Sequence, residues 1–182
     1  MKIDGHAVRF DHLAPITRKV LLELTGGHTK TVDVVFWFSR HCYSRGLAAG
    51  ELAPAGHEVH DGSKVKPRPR VLDRERYLLS LRLVALIDQL IETNALVTKT
   101  ARNERETFYR VDQVEVQRDA TKKIVSYFVF FHARKVQEPG RPKSLKVFIE
   151  SAYAEQDGLP HPQGRGRHTL GAMLGKAWSR SG

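Results

Sequence analysis

Three long segments in the second half of the chain have the composition of β-strands, and their short connections constrain the fold more than any other feature. They span residues 107–117, 123–136 and 143–154. The first connection, 118–121, has the length of a hairpin turn, and the second, 138–142, contains two prolines and a glycine, which favour a turn. The three segments therefore predict an antiparallel meander.

An amphipathic helix is predicted immediately before the meander, over residues 74–93. Asp73 is a suitable N-cap, and Asn94 is a suitable stop. Large aliphatic side chains recur along one face of this segment at the spacing of an α-helix. We expect them to lie in the core between the helix and the sheet: Leu79, Leu83, Leu86, Ile87 and Leu90.

The first part of the chain has the composition of further strands. Residues 6–10, 18–24 and 31–38 are short apolar runs, and Gly26 and Gly27 between the second and third run favour a hairpin turn. Together with the helix and the meander, these runs predict an α+β fold, in which an antiparallel β-sheet carries one long central helix packed on it.

Two basic segments rich in glycine and proline flank or interrupt this fold. Residues 46–70 predict a long loop, and residues 161–182 predict a basic C-terminal tail after a single domain of residues 1–160. Within the tail, the apolar side chains of residues 168–178 are spaced as in a short helix.

Composition excludes several classes of protein. The 182 residues include 30 Lys+Arg and 20 Asp+Glu, which gives a net charge of +10, and there is one cysteine. A single cysteine forms no internal disulfide, and no apolar run approaches the roughly 18 residues of a membrane span. The N-terminal residues lack the apolar core of a signal peptide, so we expect a cytoplasmic protein.

The positive charge is concentrated in the two glycine- and proline-rich segments. Basic residues clustered without acids favour contact with phosphates, and RNA is the preferred partner on this interpretation. Two alternatives remain: an acidic protein partner, and a basic surface that only keeps the protein soluble. Binding to a membrane surface is not expected, since the charges do not lie on an amphipathic helix. The predicted phosphate-binding residues in these segments are Lys64, Lys66, Arg68, Arg70, Arg165 and Arg167.

A polar cluster at the end of the apolar run 31–38 is the first candidate site. Arg40, His41 and Arg45 lie within six residues, together with a tyrosine and a serine. Cleavage of RNA without a metal requires a general acid, a general base and cations on the phosphate, which histidine and arginine supply. The alternative is an ordinary polar exit from a strand.

The second candidate site lies in the meander. His132 and Arg134 share one face of the middle strand, and Lys135 follows them. Glu150 lies within the apolar third strand, where a carboxylate needs a partner or exposure to water. If the two strands align, Glu150 pairs with His132 or Arg134. The alternatives are a structural histidine at the rim of the sheet and a plain cross-strand ion pair.

No motif for a nucleotide, a cofactor or a metallohydrolase is present, and we expect neither a metal nor a cofactor. His57 and His60 have the HxxH spacing of zinc ligands, with His41 and Cys42 as possible further ligands. The surrounding glycine- and proline-rich segment offers no rigid framework to hold such a site.

The sequence resembles one protein family, and its predicted architecture resembles a second group of proteins. The stretch LDRERYLLSLRL at 72–83, followed by VFIESAY at 147–153, resembles an uncharacterised bacterial family that accompanies mobile elements. Its members carry labels such as "heat shock protein C" and "stationary phase growth adaptation protein". A helix followed by an antiparallel meander is also similar in architecture to the barnase–colicin–RelE ribonucleases, which cleave RNA without metal.

These expectations combine into one functional hypothesis and one alternative. The hypothesis is an RNA-binding, metal-independent endoribonuclease that acts as a toxin or mobile-element factor. His41 and His132 would share acid and base duties, Glu150 would orient a histidine, and the arginines would bind phosphate. The alternative is a non-enzymatic accessory module that binds nucleic acid or protein.

Overall fold

The computed structural model describes residues 2–3, 6–60, 68–101, 106–137, 140, 142–156 and 160–180. Within them the chain is mostly β-strand, with three short α-helices and single 3₁₀ turns at Asp11–Leu13 and Arg40–Cys42. The strands are β1 (Lys2–Ile3), β2 (His6–Ala7), β3 (Ile16–Glu23), β4 (Thr29–Phe38), β5 (Ser44–Gly46), β6 (Glu58–His60), β7 (Pro69–Leu72), β8 (Leu96–Thr100), β9 (Thr107–Arg118), β10 (Thr121–Val136), β11 (Ser144–Ala154) and β12 (Gly164–Thr169). The helices are α1 (Arg74–Ser80), α2 (Leu83–Glu92) and α3 (Leu170–Ser179).

Seven strands form one large sheet in the order β12-β8-β9-β10-β11-β4-β3. The predicted meander is confirmed, because β10 pairs antiparallel with both β9 and β11. The predicted hairpin between β3 and β4 is also present, and Gly26 and Gly27 adopt positive φ angles of 83° and 77° in its turn. Of the predicted first strand, only the two residues of β2 are extended.

The sheet is mixed rather than antiparallel. β11 pairs parallel with β4, so that Leu145 lies opposite Val34 and Ile149 lies opposite Phe38. This pairing joins the N-terminal hairpin to the meander through a long crossover that contains α1 and α2. The expectation of a purely antiparallel sheet is therefore wrong.

The expected long central helix is wrong as well, because the segment forms two helices. The N–H of Arg82 bonds to the carbonyl of Leu79 at 3.0 Å, and this tighter i→i−3 bond separates α1 from α2. Leu78 and Leu81, at the junction, are 40% and 49% exposed. α1 therefore packs against β11, while α2 presents Leu83, Ile87 and Leu90 to the core.

The C-terminal residues are part of the sheet and the core rather than a tail. β12 pairs with β8 at the edge of the sheet, and the predicted short helix is confirmed as α3. Leu170 and Leu174 of α3 are fully buried. Gly175 brings α3 so close to β3 that a Cβ at this position would overlap the carbonyl oxygen of Glu23.

The predicted long loop at 46–70 contains two strands. β6 and β7 pair antiparallel, and β5 joins β7 to complete a small three-stranded sheet. Lys64 and Lys66 lie outside the described residues, as does most of the predicted turn at 138–142. Among the helices that the structure describes, none has the length and apolar character to cross a membrane.

Candidate active site

One face of the large sheet is covered by helices, and the opposite face carries the candidate site. This open face presents a small aromatic cluster of Phe108, Phe128 and Phe130, with Tyr153 packed against it. The rings of Phe130 and Tyr153 are stacked with centroids 5.2 Å apart. The chain then returns over the cluster, and the ring of His161 meets Phe128 edge-on at 5.9 Å.

A groove of about 480 Å³ lies between this cluster, the 3₁₀ turn after β4 and the chain that precedes β12. Its size is that of a small-molecule or single-nucleotide site rather than a surface dimple. Two histidines and two carboxylates share it with aromatic side chains. The lining residues are His41, Thr100, Glu106, Phe130, Glu150, Ser151, Tyr153, Pro160, His161, Pro162 and Gln163.

Glu150 is directed to the groove by a β-bulge. Phe130 pairs with Ser151 and Phe131 pairs with Ile149, so Glu150 is an extra residue in the ladder between β10 and β11. A bulge leaves its extra residue without a cross-strand partner and changes the direction of its side chain. The Glu150 carboxylate is 48% exposed.

His132 is the partner of that carboxylate. Its Nδ1 lies 2.9 Å from Oε1 of Glu150, and its ring stacks on Phe148 at 5.1 Å. The pairing expected from strand alternation is therefore present, and of the two possible partners the structure has His132 rather than Arg134. The contact holds the imidazole through Nδ1 and fixes the orientation of the ring.

His41 is positioned by the backbone of the same bulge. The Ser39 hydroxyl donates to the Glu150 carbonyl at 2.7 Å and accepts from the His41 N–H at 2.9 Å. The guanidinium of Arg76 donates to the His41 carbonyl at 3.2 Å. His41 and Glu150, distant in sequence, are thus linked through one serine.

His161 and Glu106 are the ionisable groove residues that the sequence analysis missed. His161 lies between two prolines, and its Nε2 is 2.5 Å from a carboxylate oxygen of Glu155. The groove therefore has a second histidine–carboxylate pair beside the one at His132. A histidine between two prolines after β11 was the available signal, but no local pattern indicates that this segment folds back over the aromatic cluster.

Three arginines predicted to bind phosphate make contacts within and beside the small sheet. Arg40 donates to the carbonyl of His60, and Arg70 donates to the hydroxyl and carbonyl oxygens of Ser44. Arg45 forms a bidentate pair with Glu51 at 2.5 and 2.7 Å. Hydrogen bonds from Arg45 lower the pKa of Glu51 to about 2.

The other predicted cations lie elsewhere on the surface. Arg134 places its guanidinium over the ring of Phe148 at 4.7 Å, and Lys135 is the next residue of β10. Arg68 is exposed beside β7, and Arg165 and Arg167 are exposed on β12. Arg134 therefore lies on the same face of β10 as His132, two residues further along the strand.

The side chains of the HxxH hypothesis do not converge on one site. Cys42 is fully buried, donates to the carbonyl of Ile149, and has its pKa raised to about 12 by burial. Across the ranges that the structure describes, no three His, Cys, Asp or Glu side chains are grouped to hold a metal ion.

The fold and the groove define a class of protein: a mixed β-sheet with helices on one face and a histidine- and carboxylate-lined groove on the other. The chain belongs to the YjaZ family, whose sequence model matches residues 1–178. Neither the curated proteins nor the solved structures include a significant match to this chain.

Proposed function

We propose that the groove cleaves RNA without a metal, and that the protein acts as a toxin or a mobile-element factor. The observation that carries the proposal is the placement of His41, Glu150 and His161 around one groove, with His132 held by Glu150. Histidine exchanges protons near neutral pH, and a neighbouring carboxylate fixes its orientation. The resemblance of residues 72–83 and 147–153 to a mobile-element family is the reason for the toxin or mobile-element part of the proposal.

The reaction is an internal transesterification of the RNA backbone. His132 accepts the proton of a ribose 2′-hydroxyl at Nε2 while Glu150 holds Nδ1, and the 2′-oxygen attacks the adjacent phosphorus. The bond from phosphorus to the 5′-oxygen of the next nucleotide breaks, and His41 donates a proton to that leaving oxygen. The products are a 2′,3′-cyclic phosphate and a free 5′-hydroxyl.

The surroundings suit this chemistry. Tyr153 and Phe130 form a stacked apolar wall that a base can contact, and Arg134 supplies a positive charge on the same face. His161, held by Glu155, is a second proton donor within the groove. A cytoplasmic location, where RNA is available, is part of the same proposal.

The test is incubation of the pure protein with total cellular RNA, with and without EDTA. We expect cleavage that EDTA does not prevent and a loss of at least about 100-fold in rate for His41→Ala and for His132→Ala, the range of a removed general acid or base. His28→Ala is the matched control, because His28 lies in the β3–β4 turn, away from the groove.

Each other outcome replaces the proposal with a specific alternative. RNA that stays intact but shifts in a gel identifies a non-enzymatic nucleic-acid-binding module. RNA that neither breaks nor shifts, with an acidic protein that co-purifies, identifies a protein-binding module. Cleavage that persists in both histidine variants contradicts the assigned residues.

A further inference from the structure

An exposed strip of alternating rings and cations crosses the open face beside the groove. We use the name open-face strip for the side chains of Trp37, Phe148, His132, Lys146 and Arg134. They lie on three adjacent strands in two rows, because Trp37 pairs with Phe148, Phe148 pairs with His132, and Lys146 pairs with Arg134. Direct cross-strand partners point to the same face of a sheet.

Contacts among the rings and cations of the strip hold its side chains in place. Phe148 stacks with His132 and carries the guanidinium of Arg134 over its ring. Lys146 Nζ lies 5.9 Å from the ring centroid of Trp37. Trp37 is nevertheless 42% exposed. Because Trp37 adjoins Phe148, the two rings form part of a patch rather than one isolated exposed residue, and such patches mark binding surfaces.

We infer that the open-face strip binds single-stranded RNA, with a base stacked on Trp37 and backbone phosphates at Lys146 and Arg134. Bases stack on aromatic side chains of open sheets, and neighbouring cations neutralise the phosphates. The strip continues into the groove, since Glu150 follows Phe148 by two residues and contacts His132. The inference names the substrate class of the proposed ribonuclease and in that respect rests on the proposed function.

The shape of the strip selects a single strand over a duplex. Adjacent strands are about 4.8 Å apart, so a row across three strands spans roughly 10 Å, which accommodates two or three bases. The faces of paired bases in a duplex are already stacked and do not reach a ring on a sheet surface. The +10 net charge of the chain favours a polyanion over an acidic peptide of low charge density.

A second lysine–tryptophan pair provides a matched control on the opposite face. Lys30 Nζ lies 5.0 Å from the ring centroid of Trp178, and Trp178 packs against the helix-covered core. The chain has only these two tryptophans, Trp37 and Trp178. Their fluorescence can therefore be separated by substituting one at a time.

The experiment titrates the full chain with a short 2′-O-methyl RNA, which has no free 2′-hydroxyl and cannot undergo the proposed cleavage. We expect RNA to quench the fluorescence of Trp178→Phe, which retains Trp37, and to leave that of Trp37→Phe unchanged. Trp37→Ala should raise the Kd about 5- to 150-fold, as for the loss of one stacked base. Lys146→Gln should reduce the salt slope by about 0.7, and Lys30→Gln should not change it.

The outcomes separate this inference from the proposed function. A Kd for Trp37→Ala within twofold of the wild-type value, or equal binding of a duplex of the same length, contradicts the binding of single-stranded RNA by the open-face strip. Cleavage of total RNA can still be observed in that case, so the proposed function is tested separately. Binding with the expected quenching but without cleavage of unmodified RNA supports RNA binding by the open-face strip and contradicts the proposed ribonuclease activity.

Discussion

The two faces of the large sheet differ in composition although the same strands form both. The helix-covered face is almost entirely apolar, with side chains such as Val34, Val147 and Ile149 packed under α2 and α3. The open face carries rings, histidines and cations, including Phe130 and His132. Since successive residues of a strand point to opposite faces, each strand supplies stability on one side and a site on the other.

β4 shows the difference within one strand. Its even-numbered apolar residues, Val32, Val34 and Phe36, lie in the core, whereas Trp37 faces solvent on the other side. Helices remove the first set from water, and nothing among the described residues covers the second ring to the same degree. The covered face is therefore expected to control unfolding, and the open face is expected to control binding.

The strongest test of this division truncates one buried side chain in α3. Leu174→Ala removes a fully buried side chain and should lower the free energy of unfolding by about 2–5 kcal/mol. Trp37→Ala should lower it by about 1 kcal/mol, because a large part of that ring stays in water. Urea denaturation followed by circular dichroism measures both.

RNA binding provides the reverse comparison for the same two variants. At a temperature where both are folded, Leu174→Ala should bind RNA as the wild type does, and Trp37→Ala should not. Equal losses of stability in the two variants would show that the open face is as important to folding as the covered face.

A smaller change tests how closely α3 approaches the sheet. Gly175→Ala adds one methyl group where a Cβ would overlap the Glu23 carbonyl, so α3 must shift away from β3. The expected cost is about 1–3 kcal/mol, as for overpacked cores. Gly27→Ala is not a suitable control because of its positive φ, whereas Gly46→Ala meets no neighbouring atom and should change stability little. Thermal unfolding of both variants decides the point.

Local sequence signals predicted the parts of the fold that depend on neighbouring residues. β9, β10 and β11 follow from strand composition and short turns, and the apolar side of α3 follows from helical spacing. The parallel pairing of β4 with β11 joins distant parts of the chain, so no local pattern indicates it. The break between α1 and α2 depends on the packing of each helix against a different part of the sheet.

The candidate site also contains contacts that local sequence patterns predicted and contacts that they did not. Glu150 was predicted to pair with His132 or Arg134, because alternation on two adjacent strands is a local rule, and the structure has His132. His161 was missed because its position depends on a segment that folds back over the aromatic cluster. The contact between Arg45 and Glu51 was not predicted, because the sequence does not reveal which neighbour a charged side chain will contact.

His12, which packs against α1, should make stability depend on pH. The His12 ring forms a hydrogen bond of 2.8 Å with the Ser80 hydroxyl and contacts the ring of Tyr77. Burial lowers the pKa of His12 below its usual value of 6.5. The unfolded chain then binds the proton more readily, so stability is complete above about pH 6.5 and falls as the pH decreases below it. His12→Gln should flatten this part of the profile, measured by urea midpoints from pH 5 to 8. A profile that is unchanged in the variant assigns the dependence to other groups.

The smallest expected effect on stability belongs to the His132–Glu150 pair. His132 and Glu150 side chains are 33% and 48% exposed, and pairs open to water contribute about 0.2–1 kcal/mol. A double-mutant cycle with His132→Ala and Glu150→Gln should therefore give a coupling energy below about 1 kcal/mol in urea denaturation. The same cycle in the RNA cleavage assay should show strongly non-additive losses, since either substitution disables one oriented base. A large coupling energy in stability, together with additive losses in cleavage, would show that the pair is a structural contact of the sheet. The open face would then contribute to folding at the very residues assigned to function, which contradicts the division between the two faces.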